Sequence, residues 1–90
     1  MDYKFLHKVI DQLVYETEID YGNDWIRYPY GGLTTTFRGF TIDTYFMVQH
    51  LKNIYGLHLS EIEYVISVYK QTIKDKLITY IDDELRNHGL

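Results

Sequence analysis

The side chains able to do acid–base, metal or nucleophilic chemistry are few and scattered. Four histidines occur, at His7, His50, His58 and His88. His7 and Asp11 stand four apart, so on a helix they share a face. That spacing suits a hydrogen-bonded surface pair, and it also suits a base with its orienting acid. There is no His-Glu-x-x-His and no second histidine at ligand spacing, so no metal is expected. Asp20, Asn23 and Asp24 make a small oxygen-rich segment. It lacks the alternating acids and central glycine of an EF-hand loop and reads as turn chemistry. The two serines, Ser60 and Ser67, sit in no nucleophile elbow, and there is no cysteine. No glycine-rich loop precedes a helix to cradle phosphate. Nothing pairs a nucleophile with a base, so we expect no catalytic residue, no cofactor and no enzymatic activity.

A different chemistry is concentrated in the middle of the chain. Trp25-Ile26-Arg27-Tyr28-Pro29-Tyr30 is followed by Gly31-Gly32 and then by Leu33-Thr34-Thr35-Thr36-Phe37-Arg38. Aromatic and β-branched runs around two glycines predict a β-hairpin with a type I′ or II′ turn at the glycines. That register sets Ile26 opposite Phe37, Tyr28 opposite Thr35 and Tyr30 opposite Leu33 on the core face. Trp25 then faces Arg38 and Arg27 faces Thr36 on the other. Pro29 has no N–H to donate and marks an edge or a bulge. Arginine and aromatic side chains are enriched at protein interfaces. Trp25, Arg27, Tyr28, Tyr30 and Arg38 are therefore the candidate partner-binding residues, with Arg38 over Trp25 as a cation–π pair. The same set could stack on single-stranded bases.

Helices must position this hairpin, because a lone one is marginal in water. Residues 3–20 carry Leu6, Val9, Ile10, Leu13, Val14 and Thr17 at helical spacing. Asp2 is the expected N-cap, and residues 20–24 gather turn formers that end the helix. A second helix is expected over about 42–55, capped by Thr41 or Asp43. Its stripe is Met47, Val48, Leu51, Ile54 and Tyr55, and Gly56 stops it. Ser60-Glu61-Ile62-Glu63 forms a capping box for a third helix over 61–87. The stripe there is Ile62, Val65, Ile66, Tyr69, Ile73, Leu77 and Tyr80, with Gly89 to close it. The predicted fold is mostly helical α+β: an N-terminal helix, a central two-stranded hairpin, then two helices, the last one long.

The chain has 90 residues, which indicates one domain over 1–90. Area scaling predicts a folded surface of roughly 5,500 Å². A compact domain of this size has a radius of gyration near 12 Å, a diameter of about 30 Å. A third helix of this length would reach about 40 Å and overhang its own core. Beyond Leu77, Ile78, Ile81 and Leu85 leave the stripe, so they are the candidate oligomer interface. Asp82, Asp83 and Glu84 lie near the negative end of that helix, where acids are unfavourable and a basic partner would offset them.

Leu51 to Ile62 has the turn glycine of a helix-turn-helix. Gly56-Leu57, then Ser60-x-x-Glu63 and a long helix, also resembles the first two helices of bacterial histone-like proteins, over about thirty residues. That resemblance implies DNA binding. The Gly-to-Ser spacing is longer, however, and no basic β-arm follows. Nine basic residues against thirteen acidic ones give a net charge of −4, the wrong sign for phosphate. Glu61, Glu63 and Tyr64 would lead the reading helix.

No apolar run reaches the ~20 residues of a membrane span, and no signal peptide opens the chain. A cytoplasmic protein is expected, in the host cytoplasm if phage-encoded. Ten tyrosines, ten isoleucines and no alanine indicate an AT-rich genome such as that of a phage or mobile element. The expectation is a non-enzymatic protein-binding module, a small regulator or inhibitor that occludes a protein partner, itself a homo-oligomer. Two alternatives stand beside it. One is a nucleic-acid binder working through the segment around Gly56, and the other is a structural or assembly subunit of a phage particle.

Overall fold

Residues 1–35 and 45–87 of a computed structural model are described. Phe37, Arg38, Thr41, Asp43 and Gly89 lie outside the described residues, as do the side chains of Tyr80, Ile81 and Leu85. The expected order stands: an N-terminal helix, an antiparallel hairpin, then two helices of which the last is long. To that hairpin the structure adds one more strand.

Helix α1 spans Tyr3–Glu16. The Phe5 N–H donates to the Asp2 carboxylate at 3.1 Å, the expected N-cap, worth about 1 kcal/mol. Leu6, Val9, Ile10 and Leu13 are buried along one face. The helix ends four residues before its expected limit. Thr17 turns extended, with φ −80° and ψ 121°, while its hydroxyl donates to the Leu13 carbonyl at 2.8 Å. Glu18–Asp20 then forms strand β1 instead of a last helical turn. With only Ile19 apolar, this strand is too short to show a period of two.

Strands β1, β2 (Trp25–Arg27) and β3 (Leu33–Thr35) make one antiparallel sheet in that order. Ile19 pairs with Ile26, Glu18 with Arg27 and Asp20 with Trp25. The β2–β3 register corrects the expected one. Thr34 stands opposite Ile26, Thr35 opposite Trp25 and Leu33 opposite Arg27. The pairing is displaced by three residues, an odd number, so it exchanges which β3 positions share a face with Ile26. Pro29 explains it. Without an N–H it cannot join a ladder, so it opens a 3₁₀ turn over Pro29–Gly31, where its fixed φ is already suitable. The Tyr28 N–H closes that turn on the Gly32 carbonyl at 2.7 Å. The left-handed residue of the turn is Tyr30 (φ 68°), while Gly32 is extended (φ −68°). A Cβ at Gly32 would lie 3.3 Å from two carbons of Tyr28, tighter than ordinary van der Waals contact.

Helix α2 is described over Tyr45–Tyr55. Met47 and Leu51 are buried, and Val48 and Tyr55 are partly buried against the core. Ile54, expected in the stripe, is exposed. Gly56 adopts φ 63° and donates its N–H to the Lys52 carbonyl at 3.1 Å, the left-handed cap of a helix C-terminus. Helix α3 spans Leu59–Asn87 and begins two residues earlier than the capping box indicates. His58 takes the N-cap position. Its backbone N–H donates to the Glu61 carboxylate at 3.0 Å, and its carbonyl accepts from Ile62 N–H at 2.9 Å. Glu61 thus plays the acid of the box, and Ser60 lies inside the helix.

The core gathers the α1 stripe, Ile26 and Tyr28 from the sheet, Met47 and Leu51 from α2, and Ile62, Val65, Tyr69, Ile73 and Leu77 from α3. Helix α1 packs chiefly on α3, and the hairpin turn rests on α2. Twenty-nine residues make α3 about 43 Å long. It nearly spans the 47 Å long axis of the molecule, against 23 and 18 Å across. The radius of gyration is 14.3 Å and the accessible surface 6159 Å², both above the values for a compact chain of this length. No described helix is long and apolar enough to cross a membrane.

Candidate functional site

Trp25 and Arg27 are two apart on β2 and therefore share a face of the sheet. Ile26, between them, is fully buried on the other. Arg27 is exposed, and its guanidinium carbon lies 5.5 Å from the centre of the Trp25 ring. That is a cation–π contact made by the arginine of the same strand, while the expected partner Arg38 lies outside the described residues. Glu18 and Asp20 stand opposite Arg27 and Trp25 in the register, so acids border the pair. The Asp20 carboxylate also holds the β1–β2 turn. It accepts from Asn23 Nδ2 at 2.9 Å and from Asn23 N–H at 3.1 Å. Those bonds, the side-chain one foremost, hold it below the usual carboxylate range. The oxygen-rich segment is thus a turn. Among the described residues no group of three His, Asp or Glu could hold a metal ion.

The hairpin's other candidates separate from this pair. Tyr28 is buried in the core cluster. Desolvation pushes its hydroxyl up to about 12, because the charged phenolate is disfavoured away from water. Tyr69, fully buried on α3, is hydrogen-bonded to the Thr17 hydroxyl, and burial pushes it up as well. Tyr30 is half-buried and stacks on His50 of α2, with ring centres 4.0 Å apart and planes tilted by 38°. Burial raises the Tyr30 hydroxyl first, with Tyr55 and Glu16 adding to it. The left-handed backbone at Tyr30, costly for a bulky residue, sets the ring on that histidine. Tyr28 and Tyr30 therefore fasten the hairpin to the helices, while Arg27 is exposed and Trp25 beside it is half-buried.

A second aromatic set lies where the α1 N-terminus meets the α2–α3 turn. Tyr3 meets Tyr64 of α3 edge-on at 5.1 Å, and Phe5 meets Tyr55 of α2 edge-on at 6.3 Å. His7 Nε2 is hydrogen-bonded to the Tyr64 hydroxyl at 2.7 Å. The pairing expected of His7 with Asp11 is thus taken by a residue from another element. Tyr3 and Phe5 stay 54% and 41% exposed, and Met1, Ile54 and Leu59 are more exposed still. The reading from sequence missed this surface. Its signal was available as apolar residues on the flank of each helical stripe, Tyr3 and Phe5 beside Leu6, and Ile54 beside Leu51.

Beside this end, Val48, Leu57 and Ile62 floor an open groove of about 360 Å³ between α2 and α3. Leu59 forms a wall, and Gln49, Lys52 and His58 line the rim. Lys52 stands in the last turn of α2, where the helix dipole favours a cation. Of the three candidate oligomer residues, Ile78 is 40% exposed next to the fully buried Leu77. Ile81 and Leu85 follow on the helical backbone of α3.

No protein family, no curated protein and no solved structure matches the chain.

Proposed function

We propose that this chain is a non-enzymatic protein-binding module, a small regulator or inhibitor that acts by covering a surface of a protein partner. The observation that carries the reading is the exposure of Tyr3 and Phe5, held edge-on by Tyr64 and Tyr55 instead of entering the core. Rings fixed by neighbours lose little freedom on docking and offer large apolar area, the property that makes aromatic residues interface anchors. The exposed Arg27, with the half-buried Trp25 ring beneath it, supplies a second and more polar anchor. Regulation of the phage or mobile-element type accords with the alanine-free composition. Self-association belongs to the same reading, because α3 outreaches the core and Ile78 stays exposed.

The test is capture of a stoichiometric partner from a host lysate by the tagged chain. Tyr3→Ser with Phe5→Ser, or Trp25→Ala with Arg27→Ala, should abolish capture with an unchanged circular dichroism spectrum. Tyr15→Ser, at an 84% exposed position on α1, should not. Equal capture by all four chains refutes the assignment.

A further inference from the structure

The α2–α3 groove and the far end of α3 are complementary in chemistry and separated in space. The groove offers an apolar floor of Val48, Leu57 and Ile62, with a lysine and a histidine at its rim. Neither the Lys52 ammonium nor the His58 ring has a hydrogen-bond or ion-pair partner among the described residues. An occupant should therefore bring aliphatic side chains next to carboxylates. The chain's own sequence contains such a segment, Ile81-Asp82-Asp83-Glu84-Leu85. These residues belong to the last turns of α3, where acids oppose the helix dipole, and the segment keeps a net negative charge with Arg86 counted.

The segment cannot reach the groove of its own molecule. Helix α3 is continuous from Leu59 to Asn87, and Leu59 and Ile62 line the groove at its start. Residue 81 lies about 30 Å further along the same rigid rod. A second copy can supply it. We propose that the chain self-associates by seating the 81–85 turn of one α3 in the α2–α3 groove of another copy. The apolar types at 81 and 85 match the apolar floor in chemistry, and the acids at 82–84 match the charge of the Lys52 and His58 rim. Two antiparallel copies can exchange this contact reciprocally, which closes the assembly as a dimer.

This inference rests on the self-association part of the proposed function, and the experiment separates the two. Light scattering after size exclusion is run on the full chain at about 100 µM, a concentration at which weak dimers persist. The expected result is a wild-type dimer. Lys52→Glu should weaken it by roughly tenfold or more, because a like charge at the rim then faces the acids. Asp82→Lys with Asp83→Lys should do the same, and combining them with Lys52→Glu should restore the dimer. Circular dichroism of each variant checks that α3 is still formed. A dimer indifferent to Lys52→Glu overturns the groove contact but leaves self-association standing. A wild-type monomer overturns both, and loss of dimer without rescue by the charge swap overturns the pairing.

Discussion

Two groups of aromatic residues among those described stand under opposite conditions. Beneath the sheet, Tyr28 and Tyr69 are buried, the Tyr69 hydroxyl is bonded to Thr17, and Tyr30 is stacked on His50. Around the α1 N-terminus, Tyr3 and Phe5 touch other rings by their edges yet remain open to water. The same residue type thus fastens elements in one region and presents area in the other. An aromatic content of 17% does not by itself call for a partner, since part of it closes the core. Only the rings that neighbours hold outside the core bear on binding.

The comparison breaks most visibly if the buried rings prove dispensable. Tyr69→Ala should cost about 3–5 kcal/mol in chemical denaturation, the range for emptying a fully buried aromatic site. Tyr69→Phe removes only the hydroxyl pair. Thr17 keeps its bond to the Leu13 carbonyl, so the loss should be near 1 kcal/mol. Both values test whether the region beneath the sheet is structural.

Alkaline titration probes the same region. Burial raises the Tyr28 hydroxyl to about 12 and pushes Tyr69 up as well. Unfolded tyrosines ionise near 10. A folded-state value above the unfolded one means that the neutral form is favoured by folding. The contribution is complete below about pH 10 and is lost as pH rises through the folded value. Unfolding monitored by phenolate absorbance and circular dichroism together should show a cooperative step above that pH. Tyr28→Phe should shift the step upward.

Much of this division was legible in the sequence, because helical spacing reports burial directly. Leu6, Val9, Ile10 and Leu13 carry the helical spacing of α1 and are buried, as are Ile62, Val65, Tyr69, Ile73 and Leu77 on α3. What escaped depends on contacts distant in sequence or on very short elements. Strand β1 has one apolar residue and exists through its pairing with β2. The β2–β3 register follows from Pro29, whose exclusion from the ladder outweighs the turn preference of Gly31-Gly32. The α3 start follows from His58 at the N-cap, whose N–H donates to Glu61, so that Ser60 falls inside the helix. At the candidate site, the sequence exposes Trp25 and Arg27 as neighbours on one strand face. It cannot report that Tyr64 sits beside Tyr3 and His7, because they are far apart in the chain, 57 positions for His7.

A smaller effect is expected at the α2–α3 turn, where a backbone conformation and not a packed side chain is at stake. Gly56 holds φ 63° between α2 and α3, with nothing within 4 Å of a Cβ built there. Space is therefore available, and only conformation is at stake. Gly56→Ala should cost about 1–2 kcal/mol, the penalty of a left-handed conformation for an L-residue. Gly56→Asn should recover part of it, since Asn tolerates that conformation best among the others. A null result for Ala would mean that the turn can relax, and with it the angle at which α2 and α3 frame Tyr55 and Tyr64.

The smallest stability change belongs to the exposed rings, and for them smallness is the informative outcome. Tyr3 and Phe5 lie in the first turn of α1, where the helix is fastened by Asp2 and the nearest core residue is Leu6. Replacing both by Ser removes two edge-on contacts but opens no cavity in the core. The expected loss is about 0.5–1 kcal/mol in chemical denaturation. A loss above about 3 kcal/mol would place these rings with Tyr69 as structural and would dissolve the contrast between the two regions. A small loss accompanied by the disappearance of partner capture would mean that these side chains are maintained at the surface for what they touch outside the molecule.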